Sequence, residues 1–159
     1  MSGLHRVYTT HSCDETIALG RELAKLLRPP KAVILRGDLG AGKTTLVKGI
    51  AAALGAAEPE EVTSPTFTLI HEYAGRAIEP TSPQENLGES VLLYHLDLYR
   101  IESQRQLDTL GIEELMTPQS LVLIEWGEKF PSLVALSDGE ITIATLGEDE
   151  RRITLRLRS

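Results

Sequence analysis

Gly37-Asp38-Leu39-Gly40-Ala41-Gly42-Lys43-Thr44-Thr45 is the stretch on which the reading of this chain turns, because its first eight residues fit G-x-x-x-x-G-K-[ST] at every fixed position. Glycines let a backbone turn tightly and bring its N–H groups against phosphate oxygens, where any β-carbon would intrude. A helix beginning at the same place adds the positive end of its dipole. Lys43 offers a mobile ammonium to the β- and γ-phosphates, and the Thr44 hydroxyl is placed to ligate magnesium. The flanks supply the context this mechanism requires. Ala32-Val33-Ile34-Leu35 is a short apolar run typical of a strand buried on both faces. From Thr44 the sequence TTLVKGIAAAL is helix-compatible, with Gly55 as a left-handed stop. The expected ligands are ATP and Mg2+. The sole asparagine, Asn86, is followed by Leu87, so the N-K-x-D signature of guanine-specific GTPases is absent.

Working outward, Arg6 to Thr9 reads as a first strand, and Ser12-Cys13-Asp14-Glu15 as a capping box opening a helix that carries Ile17, Leu23, Ala24 and Leu27 and ends at Pro29-Pro30. After the phosphate loop and its helix, Val62 to Thr66 is a polar loop containing Pro65, and Phe67-Thr68-Leu69-Ile70 is a strand candidate. Arg76 to Ser90, with Pro80, Pro83, Asn86 and Gly88, reads as a mobile insertion between two strands. Val91 to Leu96 forms a strand ending at Asp97. Ser103 to Gln106 makes a second capping box, Gly111 closes that helix, and Ile112 to Met116 adds a turn before Pro118. Leu121 to Ile124 is a buried strand ending at Glu125. Ile141 to Thr145 and Ile153 to Leu157 alternate around Gly147-Glu148-Asp149 as an antiparallel hairpin at the sheet edge. Strands and helices in alternation predict a P-loop three-layer α/β sandwich, with a mainly parallel sheet and an antiparallel C-terminal hairpin. No internal repeat interrupts it, and residues 1–159 read as one domain.

Composition agrees with this. The chain has 159 residues, 42% hydrophobic and 25% charged, enough to bury roughly 70% of the unfolded surface in a single core without disulfides. Cys13 is the only cysteine, which fits a reducing compartment and disfavours a zinc site. The amino terminus lacks the signature of a secretory signal, and no apolar run approaches the roughly 20 residues of a membrane span. A soluble, cytoplasmic protein without membrane contact is expected. A formal net charge of −7 argues against direct DNA or RNA binding, although Arg151 to Arg158 form a local basic patch.

Magnesium between two phosphates calls for a carboxylate at a neighbouring strand end. Asp97 and Glu125 both qualify. One would hold the metal and the other orient the attacking water, and the spacing does not allot the roles. Thr66 of Thr63-Ser64-Pro65-Thr66 is a candidate γ-phosphate sensor. Trp126 lies either near the nucleotide or under the sheet, and His95 reads as a satisfied histidine near the core. The cradle alone leaves room for a small-molecule kinase, or for a nucleotide-gated binding module whose hydrolysis is incidental.

Five blocks in order, GDLGAGKTT, VTSPTFTLIHEY, YHLDLYRI, LGIEEL and LIEWGEKF, closely resemble the TsaE family, the ATPase component of bacterial tRNA threonylcarbamoyladenosine biosynthesis. The likeness runs from about Ser12 to Phe130. It implies a P-loop sandwich that hydrolyses ATP weakly unless assembled with TsaB and TsaD, and that resets the machine modifying the adenosine beside the anticodon. It implies Gly37 to Thr45 on the triphosphate and Thr44 with Glu125 on magnesium. Asp97 and Thr66, with Lys43, would serve hydrolysis or switching, and the stretch from Thr10 to Thr16 would lie near the adenine. Contact with tRNA would be only indirect. Two departures are the length of the 76–90 insertion and Gly127.

Overall fold

The computed structural model describes residues 3–38, 40–65, 68–78 and 88–158. In chain order the elements are β1 (Leu4–Thr10), α1 (Cys13–Leu26), β2 (Lys31–Arg36), α2 (Lys43–Ala53), a 3-10 turn (Pro59–Glu61), β3 (Ile70–Arg76) and β4 (Ser90–Asp97). There follow α3 (Gln104–Thr109), α4 (Ile112–Leu115), β5 (Ser120–Glu125), a second 3-10 turn (Gly127–Lys129), α5 (Pro131–Leu136), β6 (Gly139–Thr145) and β7 (Arg151–Leu157).

Local chemistry sets the helix ends. The Ser12 hydroxyl accepts from the Glu15 N–H at 3.0 Å, while the Glu15 carboxylate reaches past the cap to the His11 N–H at 2.9 Å. Ser103 and Gln106 repeat that arrangement, with the Gln106 side chain accepting from the Glu102 N–H. At the end of α2, the Gly55 N–H donates to Ala52 and the Ala56 N–H to Ala51, the bond pair of a Schellman motif. Gly55 supplies the left-handed residue, with φ 65°.

Seven strands form one sheet in the order β1-β7-β6-β2-β5-β4-β3. The central strands β6, β2, β5 and β4 run parallel, and β5, buried along its whole length, sits between β2 and β4. Both edges are antiparallel: β6, β7 and β1 on one side, β4 and β3 on the other. The C-terminal hairpin therefore forms as expected but is not the edge, because β1 returns from the amino terminus to cover β7. Strand alternation divides the core in two. Val33, Leu35, Leu93, Leu123, Ile141 and Leu155 face α1 and α2, while Ala32, Leu96, Val122 and Ile124 face α3, α4 and α5. Helices thus cover both faces of the parallel core, which gives the three layers.

The first helix layer depends on close approach of two backbones. A β-carbon on Gly20 of α1 would lie 2.2 Å from the Gly49 carbonyl carbon, and one on Gly49 of α2 would lie 2.2 Å from the Ile17 oxygen. Only hydrogen fits at this crossing.

Two further expectations need correction. The strand anticipated at Phe67–Ile70 begins at Ile70, because Leu69 has φ 70° and its N–H turns back to the Pro65 carbonyl at 2.6 Å. The ends of the 76–90 segment extend the β3–β4 ladder, with the Ala77 N–H donating to Glu89 O at 2.8 Å, so its described part is hairpin rather than loose loop. The remainder, 79–87, lies outside the described residues, as do Leu39, Thr66 and Phe67. Among the described residues no helix is long and apolar enough to cross a membrane.

Candidate functional site at the strand ends

β2 leaves the sheet at Arg36 and the chain turns through Gly37 to Gly42 into α2. Gly40 and Gly42 take φ values of 81° and 109°, in the left-handed region open to glycine. A β-carbon built on Gly40 meets nothing within 4 Å, so glycine keeps that side of the cradle clear. At the first residue of α2, Lys43 is 5% exposed and folds back over the turn, its ammonium donating to the Gly37 carbonyl at 2.7 Å.

The two carboxylates arrive by register. Asp97 pairs with Glu125 across β4 and β5, and Glu125 with Leu35 across β5 and β2, so both acids stand at the carboxyl ends of strands beside the loop. Each is 4% exposed. Glu125 Oε1 is 3.8 Å from the Lys43 ammonium, and its Oε2 is 2.5 Å from Nε2 of the fully buried His95. An ionised carboxylate only accepts, so the Nε2 proton belongs to His95. Asp97 Oδ1 accepts from the Tyr99 N–H at 2.9 Å and Oδ2 from the Ser64 hydroxyl at 3.3 Å. The Asp97 N–H in turn donates to Leu69 O at 3.0 Å, tying the 62–69 loop to the end of β4.

Trp126 satisfies both of its readings, packing against the second core cluster under the sheet and against the phosphate loop. It adopts φ 66° directly after β5 and lays its indole 4.2 Å from the Lys43 ammonium, a cation–π contact, with the Tyr99 ring 5.2 Å from the indole and tilted by 58°. Lys129 holds the same corner by donating to the carbonyls of Leu98 and Tyr99 at 3.0 and 2.9 Å.

These groups enclose a cleft of about 330 Å³ lined by Gly40, Gly42, Lys43, Thr44, Thr45, Ser64, Asp97 and Glu125. A smaller one of about 120 Å³ opens on the other side of Gly40 and Gly42, bordered by Ser12, Cys13, Thr16, Thr45, Asp149 and Arg151. Arg151 Nε donates to Ala41 O at 2.9 Å, and its Nη1 gathers the carbonyls of Gly147, Glu148 and Glu150, which pins the β6–β7 turn to the phosphate loop. The oxygen donors Thr44, Asp97 and Glu125 suit a hard cation such as magnesium, and a glycine loop at a helix start beside Lys43 suits a phosphate chain. Among the described residues no cluster of three or more His, Cys, Asp or Glu side chains could cage a metal by itself. A cation here would draw further ligands from phosphate and water.

Of the anticipated site residues, the structure brings Gly40, Gly42, Lys43, Thr44, Thr45, Asp97 and Glu125 together around the cleft, with Gly37 bonded to Lys43; Asp38 and Ala41 do not line it, and Leu39 and Thr66 are outside the described residues. Three further participants emerge. His95 is the hydrogen-bonded core histidine expected, and its partner is Glu125; the signal for its place at the site is its spacing of two from Asp97, which puts both on one face of β4. Ser64 represents the 63–65 stretch at Asp97. Arg151 joins from the far end of the chain, and no local pattern foretells that contact.

A glycine loop between a central parallel strand and a helix, a lysine folded over it and acids at adjacent strand ends define the P-loop class of three-layer α/β proteins. The family model described as "Threonylcarbamoyl adenosine biosynthesis protein TsaE" matches residues 10–153. The chain belongs to the TsaE family. It is 35% identical over 146 residues to the tRNA threonylcarbamoyladenosine biosynthesis protein TsaE of Treponema pallidum, covering 92% of this chain and 96% of that one. It is 36% identical over 148 residues to the protein of the same name in Bacillus subtilis, covering 92% and 82%. The crystal structure of Bacillus subtilis YdiB superposes with a TM-score of 0.67 at 31% identity, covering 100% of this chain and 89% of that one.

Proposed function

We propose that this chain acts in tRNA threonylcarbamoyladenosine biosynthesis as a magnesium-dependent ATPase working in the cytoplasm with TsaB- and TsaD-type partners. The observation that carries the reading is the cleft itself, where Lys43, Thr44, Asp97 and Glu125 converge beyond the ends of β2, β4 and β5. The loop from Gly37 to Thr45 binds the triphosphate through its amides. Lys43 exchanges its bond to Gly37 O for phosphate oxygens, a charge-assisted contact stronger than the one it leaves. Thr44 and Glu125 hold the metal, and His95 fixes the carboxylate by occupying Oε2. Bound magnesium supplies charge neutralisation at the phosphates. Asp97, held from two sides by Tyr99 and Ser64, orients the attacking water and accepts its proton. Because Ser64 sits on the loop that also bonds Asp97 through Leu69, loss of the γ-phosphate has a direct route to a surface loop. That loop is the element through which nucleotide state would be communicated to partners.

The test is steady-state hydrolysis of MgATP by the purified chain, alone and with TsaB and TsaD. Slow turnover that rises on assembly, and its loss in Lys43→Ala, is the expected result. Unchanged hydrolysis in that variant would remove the cradle from the mechanism.

A further inference from the structure

Helices α3, α4 and α5 cover the second face of the sheet only over its parallel core. On the same side, β1, β7 and the far end of β6 carry no helix, and α5 reaches only the border formed by Glu140 and Arg156. The register of these strands aligns His5 with Arg156 and Glu140, Val7 with Thr154 and Thr142, and Thr9 with Arg152 and Ala144. The opposite side of these strands carries Ile141, Ile143, Ile153 and Leu155, all buried under the first helix layer. The bare side is open: Val7 is 56% exposed, and His5, Arg152 and Arg156 are exposed as well. Arg36 joins the row at the end of β2, in register with Thr142 and 3.3 Å from Glu140. Arg158 is not counted, because it turns onto the carbonyls of Val134 and Ala135.

Three arginines therefore share this face with one carboxylate, on a chain whose formal net charge is −7. The charge is segregated, so the average that argues against nucleic acid does not describe this surface. We infer that the bare β1-β7-β6 face, through Arg152, Arg156 and Arg36, docks the ribose-phosphate backbone of RNA. Its composition favours this occupant over an acidic protein. Protein interfaces are organised around buried aromatic or aliphatic anchors, whereas the apolar groups at the aligned positions here are Val7 and Ala144. Arginines interleaved with the hydroxyls of Thr9, Thr142 and Thr154 are the donors that contact phosphate. His5 is the one ring among the aligned positions, with no Phe, Tyr or Trp, so the face offers little stacking platform and contacts mainly backbone. The choice of RNA over another polyanion rests on the role proposed above. The face begins at Arg36, the residue before Gly37, so it adjoins the phosphate loop without containing any of its groups.

The experiment is fluorescence anisotropy of a labelled tRNA transcript with the full chain, repeated across salt concentrations. Wild-type binding should weaken linearly on logarithmic axes. Arg152→Gln combined with Arg156→Gln should lower that slope by about 1.4 to 1.8, the share of two phosphate contacts. Arg152→Glu with Arg156→Glu should raise the dissociation constant at least about tenfold. Both positions are exposed, and should the reversed pair fail to fold, the glutamine pair still decides. The proposal is overturned if the wild-type chain shows no binding at low salt, if the glutamine pair retains the wild-type slope and affinity, or if polyglutamate displaces the transcript as well as unlabelled tRNA does. Lys43→Ala separates this reading from the previous one. Loss of ATP hydrolysis with arginine-dependent tRNA binding intact supports both. Failure of the wild-type chain to bind ATP, with that tRNA binding intact, defeats the ATPase reading alone.

Discussion

The imidazole of His95 donates from Nε2 to Glu125 Oε2 across 2.5 Å, with side-chain exposures of 0% and 5%. Glu125 is thereby oriented from within the sheet, leaving Oε1 for the cleft and Lys43. His95→Leu would keep the volume but strip the carboxylate of its buried donor, at a cost of about 1–3 kcal/mol. The expected outcome is a lower denaturant midpoint together with weaker magnesium-dependent ATP binding. His95→Gln, whose amide N–H can reach the same oxygen, should recover part of the metal dependence; identical behaviour of the two variants would deny His95 any orienting role.

Trp126 is the chain's single tryptophan, and the Lys43 ammonium lies 4.2 Å from its ring centroid. A phosphate that draws the ammonium away removes that cation from the indole. Titration with MgATP should therefore change Trp126 emission saturably in the wild type and leave it flat in Lys43→Met. Calorimetric binding without any emission change would mean that Lys43 stays where it is.

The local pattern made most of the fold legible. Four apolar residues, a glycine loop and a helix predicted β2, the cradle and α2, and each strand ending in an acid was correctly terminated at Asp97 and Glu125. What escaped depends on distant pairing. β1 closes over β7 from the opposite end of the chain, and β3 starts three residues later than expected because Leu69 adopts a left-handed φ that no leucine-rich pattern signals. At the site, the residue types and spacing of Lys43, Asp97 and Glu125 carried their chemistry. Trp126 was ambiguous because its placement depends on the φ of 66° that follows β5, and Arg151 because its partner Ala41 is over a hundred residues away.

Gly20 and Gly49 were also unreadable, since glycine inside a helix costs about 1 kcal/mol against alanine and gives no local reason for its presence. The crossing of α1 and α2 supplies the reason. Gly49→Ala adds a methyl 2.2 Å from the Ile17 oxygen, and backbone must move to accept it. The expected result is destabilisation by about 1–3 kcal/mol, opposite in sign to the propensity gain, measured by urea unfolding. A stabilised variant would show that the helices part without penalty.

Asp97 and Glu125 sit side by side in register, yet their partners separate their tasks. Asp97 receives the Tyr99 N–H and the Ser64 hydroxyl, both neutral donors, in two of the bonds that hold it at the cleft. Glu125 faces Lys43 and His95. Asp97→Asn keeps an acceptor for the Tyr99 N–H and removes the charge and proton-accepting capacity. We expect it to lower kcat by about 100-fold or more, the usual worth of a general base, with little change in ATP affinity. Glu125→Gln should instead weaken the response to magnesium, raising the metal concentration needed for half-maximal hydrolysis. Single-turnover hydrolysis alongside equilibrium ATP binding, each at several magnesium concentrations, distinguishes the two. An equal loss of affinity and turnover in Asp97→Asn would mean that Asp97 helps to hold the nucleotide and does not act on water.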